Sequence, residues 1–230
     1  MNLAIIGYGK MGQLIEQLAA EYNFAVKLKL NGASNQNFEG LTSENLSGID
    51  VAVEFSTPSA AVENIERLAR LGVNVAVGTT GWLHQLPHVQ SVVHRSNTGL
   101  VWSPNYSIGI QMFFKIVSQA SRLLAGQTEY GAWAWEIHHA AKKDAPSGTL
   151  LALVEEMKHA GYERPIGVSA TRAGTHPGTH EIGFDSLGDT ITLRHTARSR
   201  EAFARGALRA ARWIVGKKGV FFFPEIIEKL

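Results

Sequence analysis

The chain has 230 residues and a formal net charge of +2, and 45% of its residues are hydrophobic while 18% are charged. This is a globular composition, which excludes disorder, and so weak a positive charge gives no argument for a nucleic-acid partner. The absence of cysteine excludes disulfides, thiolate nucleophiles and cysteine-bound metals. No apolar run approaches the roughly 20 residues that span a bilayer, and the first residues lack signal-peptide features, so we expect a soluble cytoplasmic protein without a membrane partner.

Strands and helices alternate through the first part of the chain. Short apolar runs predict strands, and apolar residues spaced three and four apart predict helices. Strands that alternate with helices form a parallel sheet covered on both faces, so this part predicts an α/β domain of Rossmann type. The predicted strands are 3–6, 24–30, 50–55, 73–77 and 99–102. One predicted helix follows the glycines at 7–12, and two others cover 59–71 and 83–95.

The pattern changes after residue 105. Runs of strands stand beside runs of helices there, which favours an α+β domain, and a last helix over about 200–215 follows it. The predicted elements are a helix at 110–124, a strand at 133–138, a helix at 147–159 and strands at 167–173, 181–186 and 190–197. We therefore predict a Rossmann-type domain of residues 1–106 and 205–230, with an inserted α+β substrate domain at 107–204.

A glycine turn stands between the first predicted strand and the first predicted helix. It fits the pattern G-x-G-x-x-G in the strand-to-helix context that gives this pattern its meaning. The first glycine allows a tight turn, the second lets the backbone approach a pyrophosphate, and the third lets the helix pack on the strand. A purely structural turn is the alternative. The candidate cofactor-binding residues of the turn are Gly7, Tyr8, Gly9, Lys10, Met11 and Gly12.

The second predicted strand ends at Asn31, where NAD-binding sites often carry an acidic residue that holds the ribose. No Asp or Glu lies between residues 24 and 38, and a carboxylate there would repel the extra phosphate of NADP. Asn31 is therefore a candidate cofactor-binding residue that admits both NADH and NADPH. Three cations could meet that phosphate, although such lysines are more often simply solvated: Lys10, Lys27 and Lys29.

The stretch richest in chemistry, EIHHAAKKDAPSGT, runs from Glu136 to Thr149. Its two histidines can transfer protons near neutral pH, and its lysines can supply a proton or a positive charge. Ser147, Gly148 and Thr149 then begin a helix whose amides and hydroxyls can bind a carboxylate. These residues indicate a site for a small anionic substrate that needs a proton. Each part alone also has a structural explanation, such as a serine that only caps the helix.

Two other patterns concern the histidines. His176 and His180 have zinc-like spacing, but a proline and a glycine between them oppose a helix, so we expect no metal. Glu136 and His138 are two residues apart on a predicted strand, so their side chains share a face. Glu136 therefore either orients His138 or raises its pKa, or it pairs elsewhere.

Motifs along nearly the whole chain resemble the dihydrodipicolinate reductase family. The most specific is HHAAKKDAPSGT at 138–149, which follows the family's His-His-x-x-Lys-x-Asp-Ala-Pro-Ser-Gly-Thr signature. Others occur in the order that the family has. They are the glycine turn, VEFSTP at 53–58, GTTG at 78–81, SPNYS at 103–107, GTHE at 178–181, HTARSR at 195–200 and FARGA at 203–207.

The resemblance implies an NAD(P)H-dependent reduction of 4-hydroxy-tetrahydrodipicolinate to tetrahydrodipicolinate in diaminopimelate and lysine biosynthesis. It implies that His138 and Lys142 are catalytic proton carriers, and that His139, Gly148 and Thr149 grip the dicarboxylate substrate. It also implies a homotetramer assembled through the sheets of the inserted domain, which would then serve both substrate binding and oligomerisation. Besides the glycine turn, the cofactor would be lined by Gly78, Thr79, Thr80, Ser103, Pro104, Asn105 and Tyr106.

Two other functions stay open at the level of sequence. One is a related nicotinamide-dependent reductase with a different substrate, such as an amino-acid dehydrogenase of the aspartate type. The other is a protein that senses nicotinamide redox state without turnover. The pair of His138 and Lys142 argues against the sensor, because sensing needs no proton donor.

Overall fold

The computed structural model describes residues 1–230, and the chain divides into two compact units. Unit 1 comprises Met1–Ile108 and Glu201–Leu230, and unit 2 comprises Gly109–Arg200. The first boundary falls at 108 where the sequence predicts 106, and the chain returns at 201 where it predicts 205. Both boundaries coincide with the start of a helix. The assignment of unit 1 to the cofactor and of unit 2 to the substrate stays a prediction.

Unit 1 is built on a six-stranded sheet in which every neighbouring pair is parallel. Strands are numbered along the whole chain, and the spatial order in this sheet is β10-β5-β4-β3-β1-β2. The order reverses between β1 and β3, and doubly wound sheets bind ligands beyond the carboxyl ends of the strands at such a reversal. The strands are β1 (Asn2–Ile6), β2 (Ala25–Leu30), β3 (Val51–Glu54), β4 (Asn74–Val77), β5 (Gly99–Trp102) and β10 (Gly219–Phe222).

Helices cover both faces of this sheet, so its central strands are apolar on both sides, as a parallel sheet requires. The small side chains along α6 let that helix approach the sheet closely. At Gly206 a Cβ would lie only 1.7 Å from the carbonyl oxygen of Tyr106. The helices of unit 1 are α1 (Lys10–Ala19), α2 (Pro58–Arg70), α3 (Leu86–Arg95), α6 (Glu201–Ile214) and α7 (Phe223–Ile226).

Unit 2 contains a four-stranded mixed sheet in the order β7-β6-β8-β9, with two helices packed on one face. The pair β6–β7 is parallel, and the pairs β6–β8 and β8–β9 are antiparallel. Neither helix here, nor any other in the chain, is long and apolar enough to cross a membrane. The elements are α4 (Ile108–Leu124), β6 (Gly131–His138), α5 (Gly148–His159), β7 (Ile166–Arg172), β8 (Thr179–Asp185) and β9 (Thr190–Thr196).

The core of unit 2 fills the space between the helices and the facing side of the sheet. Because side chains alternate along a strand, β6 sends Ala134 and Glu136 toward the helices and its two tryptophans toward the other face. The same alternation on β8 brings its buried residues opposite them. The buried apolar residues are Ile110, Phe113, Val117, Ala134, Leu150, Leu153, Val154, Met157, Tyr162, Ile182 and Phe184.

No helix of unit 2 covers the second face of its sheet, which we call the open face. Trp133 and Trp135 project from β6 onto it and line a shallow groove. The indole of Trp133 lies across Gly183, where a Cβ would come within 2.1 Å of the ring. The indole nitrogen of Trp135 donates a hydrogen bond of 3.2 Å to the hydroxyl of Thr171. The open face therefore combines two large aromatic surfaces with hydroxyl-bearing side chains.

The predicted fold class, a Rossmann-type domain with an inserted α+β domain, is confirmed. The predicted strands and helices are present with small shifts of their ends. The sequence analysis missed the short helix α7 and, before it, β10, a strand that follows the last predicted helix and pairs with β5. Its apolar run of four residues is too short for periodicity to identify a strand.

Candidate active site

The glycine turn lies between β1 and α1, and its three glycines have three different environments. Gly7 has a φ of +97°, and a Cβ there would lie 2.2 Å from the carbonyl oxygen of Phe55. A Cβ on Gly12 would lie 2.4 Å from the Gly7 carbonyl oxygen, so only glycine permits this close packing of helix on strand. A Cβ on Gly9 would meet no atom within 4 Å. Open space beside the second glycine is what a pyrophosphate needs.

The N-terminus of α1 is open to an anion. Gly9 is its N-cap residue, no side chain caps the helix, and the first turn contains no acidic residue. The amide of Gln13 donates to the carbonyl oxygen of Gly9 at 3.0 Å, and the amides before Gln13 have no acceptor within the helix. These amides and the positive end of the helix dipole fit the phosphates of a dinucleotide.

The loop after β4 reaches the same carboxyl edge of the sheet as the glycine turn. Gly78 lies so close to the ring of Phe55 that a Cβ would come within 2.1 Å of it. The hydroxyl oxygen of Thr79 accepts a hydrogen bond of 2.8 Å from the amide of Ser56, which follows β3. Thr80 is exposed. The structure thus brings the predicted cofactor residues of β1 and β4 to one edge of unit 1.

Two predicted cofactor residues after β5 turn their side chains inward. Tyr106 is buried, and its hydroxyl lies 2.9 Å from carbonyl oxygens on both β4 and β5, to which it can donate. Ser103 is also buried and donates a hydrogen bond of 2.7 Å to the carbonyl oxygen of Asn105. These side chains hold the loop from inside, so only their backbones are placed to contact a ligand. Pro104 is exposed on the outside of the loop.

At the end of β2, the side chain of Asn31 is used to shape its own loop. Its Oδ1 accepts hydrogen bonds of 2.9 Å from the amides of both Ala33 and Ser34. The Ser34 hydroxyl oxygen in turn accepts a hydrogen bond of 2.8 Å from the Asn31 backbone amide. Asn31 is exposed, and its side-chain NH₂ carries the remaining donors. The predicted ribose contact by Asn31 therefore rests on this NH₂ group and not on the oxygen.

Of the three lysines considered for the phosphate, Lys29 already has a partner. Its Nζ donates to Glu16 at 2.9 Å and lies 5.1 Å from the centre of the Tyr8 ring. The Tyr8 hydroxyl donates to the same carboxylate. The hydrogen bonds from Lys29 and Tyr8 hold the pKa of Glu16 below its usual range. Lys10 is exposed at the start of α1 and is the cation nearest to the glycine turn in sequence.

A buried polar chain that the sequence analysis missed links two loops at this edge of unit 1. Glu54, fully buried at the end of β3, accepts hydrogen bonds of 3.2 Å from the Ser56 amide and from Asn64 on α2. Asn64 in turn accepts a hydrogen bond of 3.1 Å from Asn35, in the loop after β2. Burial raises the pKa of Glu54. The chain fixes the loop after β2 relative to the loop after β3.

In unit 2, the start of α5 is held by one of the predicted substrate residues. Ser147 is the N-cap, and its Oγ accepts the Leu150 amide at 3.2 Å. The Ser147 amide and hydroxyl both donate to Glu136, so Ser147 is buried and turned away from any ligand. Gly148 is exposed and Thr149 is half-buried. The predicted carboxylate site is therefore reduced to Gly148 and Thr149 in the first turn of the helix.

Lys142 stands on the loop between β6 and α5. Its amide donates to the carbonyl oxygen of His139 at 3.1 Å, which closes a turn after the strand. Its Nζ lies 2.7 and 2.9 Å from the two carboxylate oxygens of Asp144. The hydrogen bond from Lys142 holds the pKa of Asp144 below its usual range. The structure thus gives the predicted proton carrier a partner two residues along the chain, and His139 lies half-buried in the same turn.

Glu136, fully buried on β6, lies at the centre of the site in unit 2. Its Oε1 accepts hydrogen bonds of 2.8 Å from the Ser147 amide and of 2.6 Å from Nη2 of Arg172. Its Oε2 accepts the Ser147 hydroxyl, and lies 3.3 Å from Nε2 of His180 and 3.6 Å from Nδ1 of His138. Burial would raise the pKa of Glu136, but the hydrogen bonds from Ser147 and Arg172 outweigh it and hold the pKa below its usual range.

His138 lies at the end of β6 and is itself mostly buried. Burial lowers the pKa of His138, and the nearby negative charge of Glu136 opposes part of that effect. Its Nδ1 faces Glu136 without a hydrogen bond. Its Nε2 faces Gly178, where a Cβ would lie 2.9 Å away. A side chain at Gly178 would therefore collide with this nitrogen.

Glu136, His138 and His180 could also hold a metal ion by geometry alone, since one ligand atom from each lies within 4.8 Å of the others. The carboxylate is already engaged, however, because Ser147 donates two hydrogen bonds to it and Arg172 brings a positive charge to 2.6 Å. A metal ion at this position would share the carboxylate of Glu136 with the guanidinium of Arg172, and the two positive charges would repel each other. These contacts give no support to a metal site, and His180 serves as a neighbour of Glu136.

The sequence analysis did not assign three residues to this site: Arg172, Gly178 and His180. Arg172 reaches Glu136 only because β6 and β7 pair in parallel with Ala170 opposite Glu136. His180 reaches it because the antiparallel register of β6 and β8 places it directly opposite. The alternation of side chains along each strand could have assigned faces, but the register between strands is not visible in the sequence.

A glycine turn with an uncapped helix start on a Rossmann-type unit, and a cluster of histidine, carboxylate and lysine side chains on a second unit, fit a dinucleotide-dependent oxidoreductase. Residues 1–106 match the sequence model of the dihydrodipicolinate reductase N-terminus, and residues 109–227 match that of its C-terminus. The chain belongs to the dihydrodipicolinate reductase family. It is accordingly an enzyme that uses a nicotinamide cofactor.

Relatives across the full length agree with this family. The chain is 32% identical over 243 residues to the 4-hydroxy-tetrahydrodipicolinate reductase of Christiangramia forsetii, covering 100% of this chain and 99% of the relative. It is 33% identical over 265 residues to the enzyme of the same name from Archaeoglobus fulgidus, covering 99% of this chain and 100% of the relative.

Solved structures show the same fold. A dipicolinate-bound dihydrodipicolinate reductase from Paenisporosarcina superposes with a TM-score of 0.80 at 22% identity, covering 100% of this chain and 99% of that one. The aspartate dehydrogenase of Thermotoga maritima gives a TM-score of 0.51 at 14% identity, covering 94% and 97%. The fold is thus shared with the alternative class of enzyme considered from sequence, whereas the family match is to the reductase.

Proposed function

We propose that this chain reduces 4-hydroxy-tetrahydrodipicolinate to tetrahydrodipicolinate with NADH or NADPH, a step in diaminopimelate and lysine biosynthesis. The family and the names of its full-length relatives support this reaction. One observation on the chain itself carries the proposal. The segment that contains His138 and Lys142 leads into a helix start whose first turn has no acidic residue, with Gly148 exposed and Thr149 half-buried.

The substrate is a ring with two carboxylates, and unit 2 offers separate groups for them. The first turn of α5 has no acidic residue, and the amides of Gly148 and Thr149 lie at the positive end of the helix dipole. The Thr149 hydroxyl adds a donor on the half-exposed side of the helix. We propose that these groups hold one carboxylate and that His139 and Lys142 face the other charge.

The 4-hydroxyl group of the substrate is lost as water, and reduction of the conjugated ring requires both a hydride and a proton. The nicotinamide cofactor, when bound, supplies the hydride. Proton delivery falls to His138, through the Nε2 atom that faces Gly178, and to Lys142, whose ammonium group is held by Asp144. Lysine can also balance negative charge that develops on the ring during the reaction. We propose no metal in this step, since the carboxylate of Glu136 is already bound by Ser147 and Arg172.

Competitive inhibition by flat aromatic dicarboxylates tests the substrate site. We expect pyridine-2,6-dicarboxylate, which cannot accept hydride, to compete with the substrate. The assay uses the synthase that makes 4-hydroxy-tetrahydrodipicolinate to supply that substrate. Thr149→Val removes the hydroxyl and crowds the helix start, so inhibition should weaken about tenfold. Thr149→Ser keeps the hydroxyl and is the matched control. If inhibition is the same in all three proteins, this helix start does not bind the carboxylate.

We propose that both NADH and NADPH are substrates, with a modest preference at most. Asn31 repels neither cofactor, and its loop is built by hydrogen bonds that an aspartate would also accept. Lys10 supplies one exposed cation, and such a contact with a phosphate is worth about 1 kcal/mol, or about fivefold. Asn31→Asp should preserve the loop and weaken NADPH selectively by charge repulsion.

The ratio of kcat/KM for the two cofactors measures this preference. In the wild type we expect a ratio within about tenfold of one, and in Asn31→Asp a shift toward NADH. Lys218→Gln, at an exposed lysine just before β10, which lies at the opposite edge of the sheet from β2, serves as the control for a general change of charge. A thousandfold preference in the wild type would mean that another residue recognises the ribose.

We propose that the protein is a homotetramer in which the open face of unit 2 is buried between subunits. The two indoles and the close fit of Trp133 on Gly183 support this assignment, because such surfaces are common in subunit contacts. Sedimentation analysis should give four times the 25.0 kDa of one chain. Trp135→Glu should dissociate the assembly, whereas Leu123→Glu, at an exposed apolar residue of α4, should not. An unchanged mass for Trp135→Glu would exclude this face.

A further inference from the structure

We propose that Glu136 and Arg172 are positioning residues that hold the proton carriers and the carboxylate site at a fixed spacing. Neither residue is free to touch the substrate, because the carboxylate of Glu136 is completely buried and the guanidinium of Arg172 is directed at it. Charged side chains are rarely buried unless they are paired. This inference rests on the proposed function, which assigns proton transfer to His138 and Lys142.

The first link sets the proton on His138. Glu136 is ionised and can only accept hydrogen bonds, and its Oε2 lies 3.6 Å from Nδ1 of His138. This favours the imidazole form that carries its hydrogen on Nδ1, which leaves Nε2 to exchange a proton beside Gly178. The separation is longer than a hydrogen bond, and such contacts often shorten when substrate binds or when the ring becomes charged.

The second link fixes the start of α5. The amide and the hydroxyl of Ser147 both donate to Glu136, one to each carboxylate oxygen. The next two residues, Gly148 and Thr149, form the proposed carboxylate site. The distance between that site and the ring of His138 is therefore set through a single buried group.

The third link runs through Arg172 to the lysine. Its Nη2 donates to Glu136 at 2.6 Å and also to the carbonyl oxygen of Asp144. The carboxylate of Asp144 holds Nζ of Lys142. Arg172 thus ties the loop that carries Lys142 to the strand that carries His138. The neighbouring Nη1 donates to the carbonyl oxygen of Thr171 at 2.8 Å. The planar guanidinium therefore serves three acceptors from two nitrogens at a fixed spacing, which a lysine ammonium cannot reproduce.

The electrostatic surroundings of His138 come from every neighbouring element. Burial lowers the pKa of His138, the charge of Glu136 on β6 raises it, and the cation of Lys142 lowers it further. Arg172 on β7 also lowers this pKa, and the charge of Asp144 raises it. On β8, burial and the nearby His138 lower the pKa of His180 to about 4, so His180 is neutral at pH 7. Removing the charge of Glu136 should therefore lower the pKa of His138.

The test begins with Glu136→Gln, which preserves the shape but not the charge. Ser147 and Arg172 both donate toward Oε1, so the glutamine oxygen should occupy that position and its NH₂ group the position of Oε2. The NH₂ would then donate toward Nδ1 of His138 and force the hydrogen onto Nε2. We expect turnover to fall about 10²-fold with little change in KM, and the pKa of His138 in the pH–rate profile to fall by about one unit.

A spectroscopic readout separates this role from a purely structural one. Nitrogen-15 spectra of the histidine-labelled full-length protein without substrate report which ring nitrogen carries the hydrogen, and His138→Asn assigns the signal. We expect the Nδ1–H form in the wild type and the Nε2–H form in Glu136→Gln. The inference is overturned if Glu136→Gln leaves this form and the pH–rate profile unchanged. If the spectra change as expected but the wild type lacks reductase activity, the proposed function fails and the positioning role stands.

Variants of Arg172 test the third link. Arg172→Lys should raise KM and lower turnover about tenfold while the protein stays folded. Arg172→Met should change both constants further, because it leaves the buried charge of Glu136 unpaired. Glu155→Gln removes an exposed carboxylate of α5 that pairs with Lys158, and should change neither kinetics nor spectra. Wild-type kinetic constants in Arg172→Lys, together with an unchanged melting temperature, would contradict the link.

Discussion

Replacement of His138 by alanine should reduce turnover by about 10²–10⁴-fold, the usual contribution of a positioned acid or base. Lys142→Ala should cause a loss in the same range. Both residues stand in the segment that leads into the first turn of α5, and the Nε2 atom of His138 faces Gly178. Steady-state rates with saturating cofactor and substrate measure both effects.

The affinity for the cofactor should stay near its wild-type value in both variants, because the glycine turn belongs to unit 1 and these residues to unit 2. Lys143→Ala provides a matched control, since this exposed lysine is the next residue in the chain and makes no ion pair with Asp144. Near-normal turnover in either His138→Ala or Lys142→Ala would remove that residue from the proposed mechanism.

The fold was predictable because the strands of unit 1 are short, apolar and regularly separated by helices. The same regularity located the glycine turn correctly at the end of β1, where all three glycines have the environments that a dinucleotide site requires. β10 was missed because it has only four residues and its partner, β5, lies more than a hundred residues earlier in the chain. A long-range pairing of this kind leaves no local pattern.

The sequence predicted on which element a residue lies better than it predicted the direction in which the side chain points. Ser147 was expected at the helix start and stands there, yet its amide and hydroxyl face Glu136 and not the ligand side. Tyr106 likewise lies in the predicted loop but points into the core. For Glu136, the pairing elsewhere is present, because Oε1 accepts a hydrogen bond from Arg172. Its Oε2 lies 3.6 Å from Nδ1 of His138 without a hydrogen bond, so the orienting role stays a prediction.

The difference between the glycines of the turn leads to a prediction about cofactor binding. We expect Gly9→Asp to weaken both NADH and NADPH by at least about 100-fold, equivalent to about 3 kcal/mol, while the fold stays stable. A Cβ at this position meets no atom within 4 Å, and the backbone, at φ −92° and ψ −154°, accepts any residue. Fluorescence titration with each cofactor and a thermal melt measure the two quantities.

The reason lies in the helix start itself. Gly9 is the N-cap of α1, and aspartate is among the best N-cap residues, so its carboxylate should bind the same free amides that the pyrophosphate needs. The new charge would therefore stabilise the helix and repel the cofactor at once. Gly9→Ala is the neutral control and should weaken binding less. Gly12→Ala should instead lower the melting temperature, because its Cβ would lie 2.4 Å from the Gly7 carbonyl oxygen. Unchanged cofactor affinity in Gly9→Asp would place the pyrophosphate away from this turn.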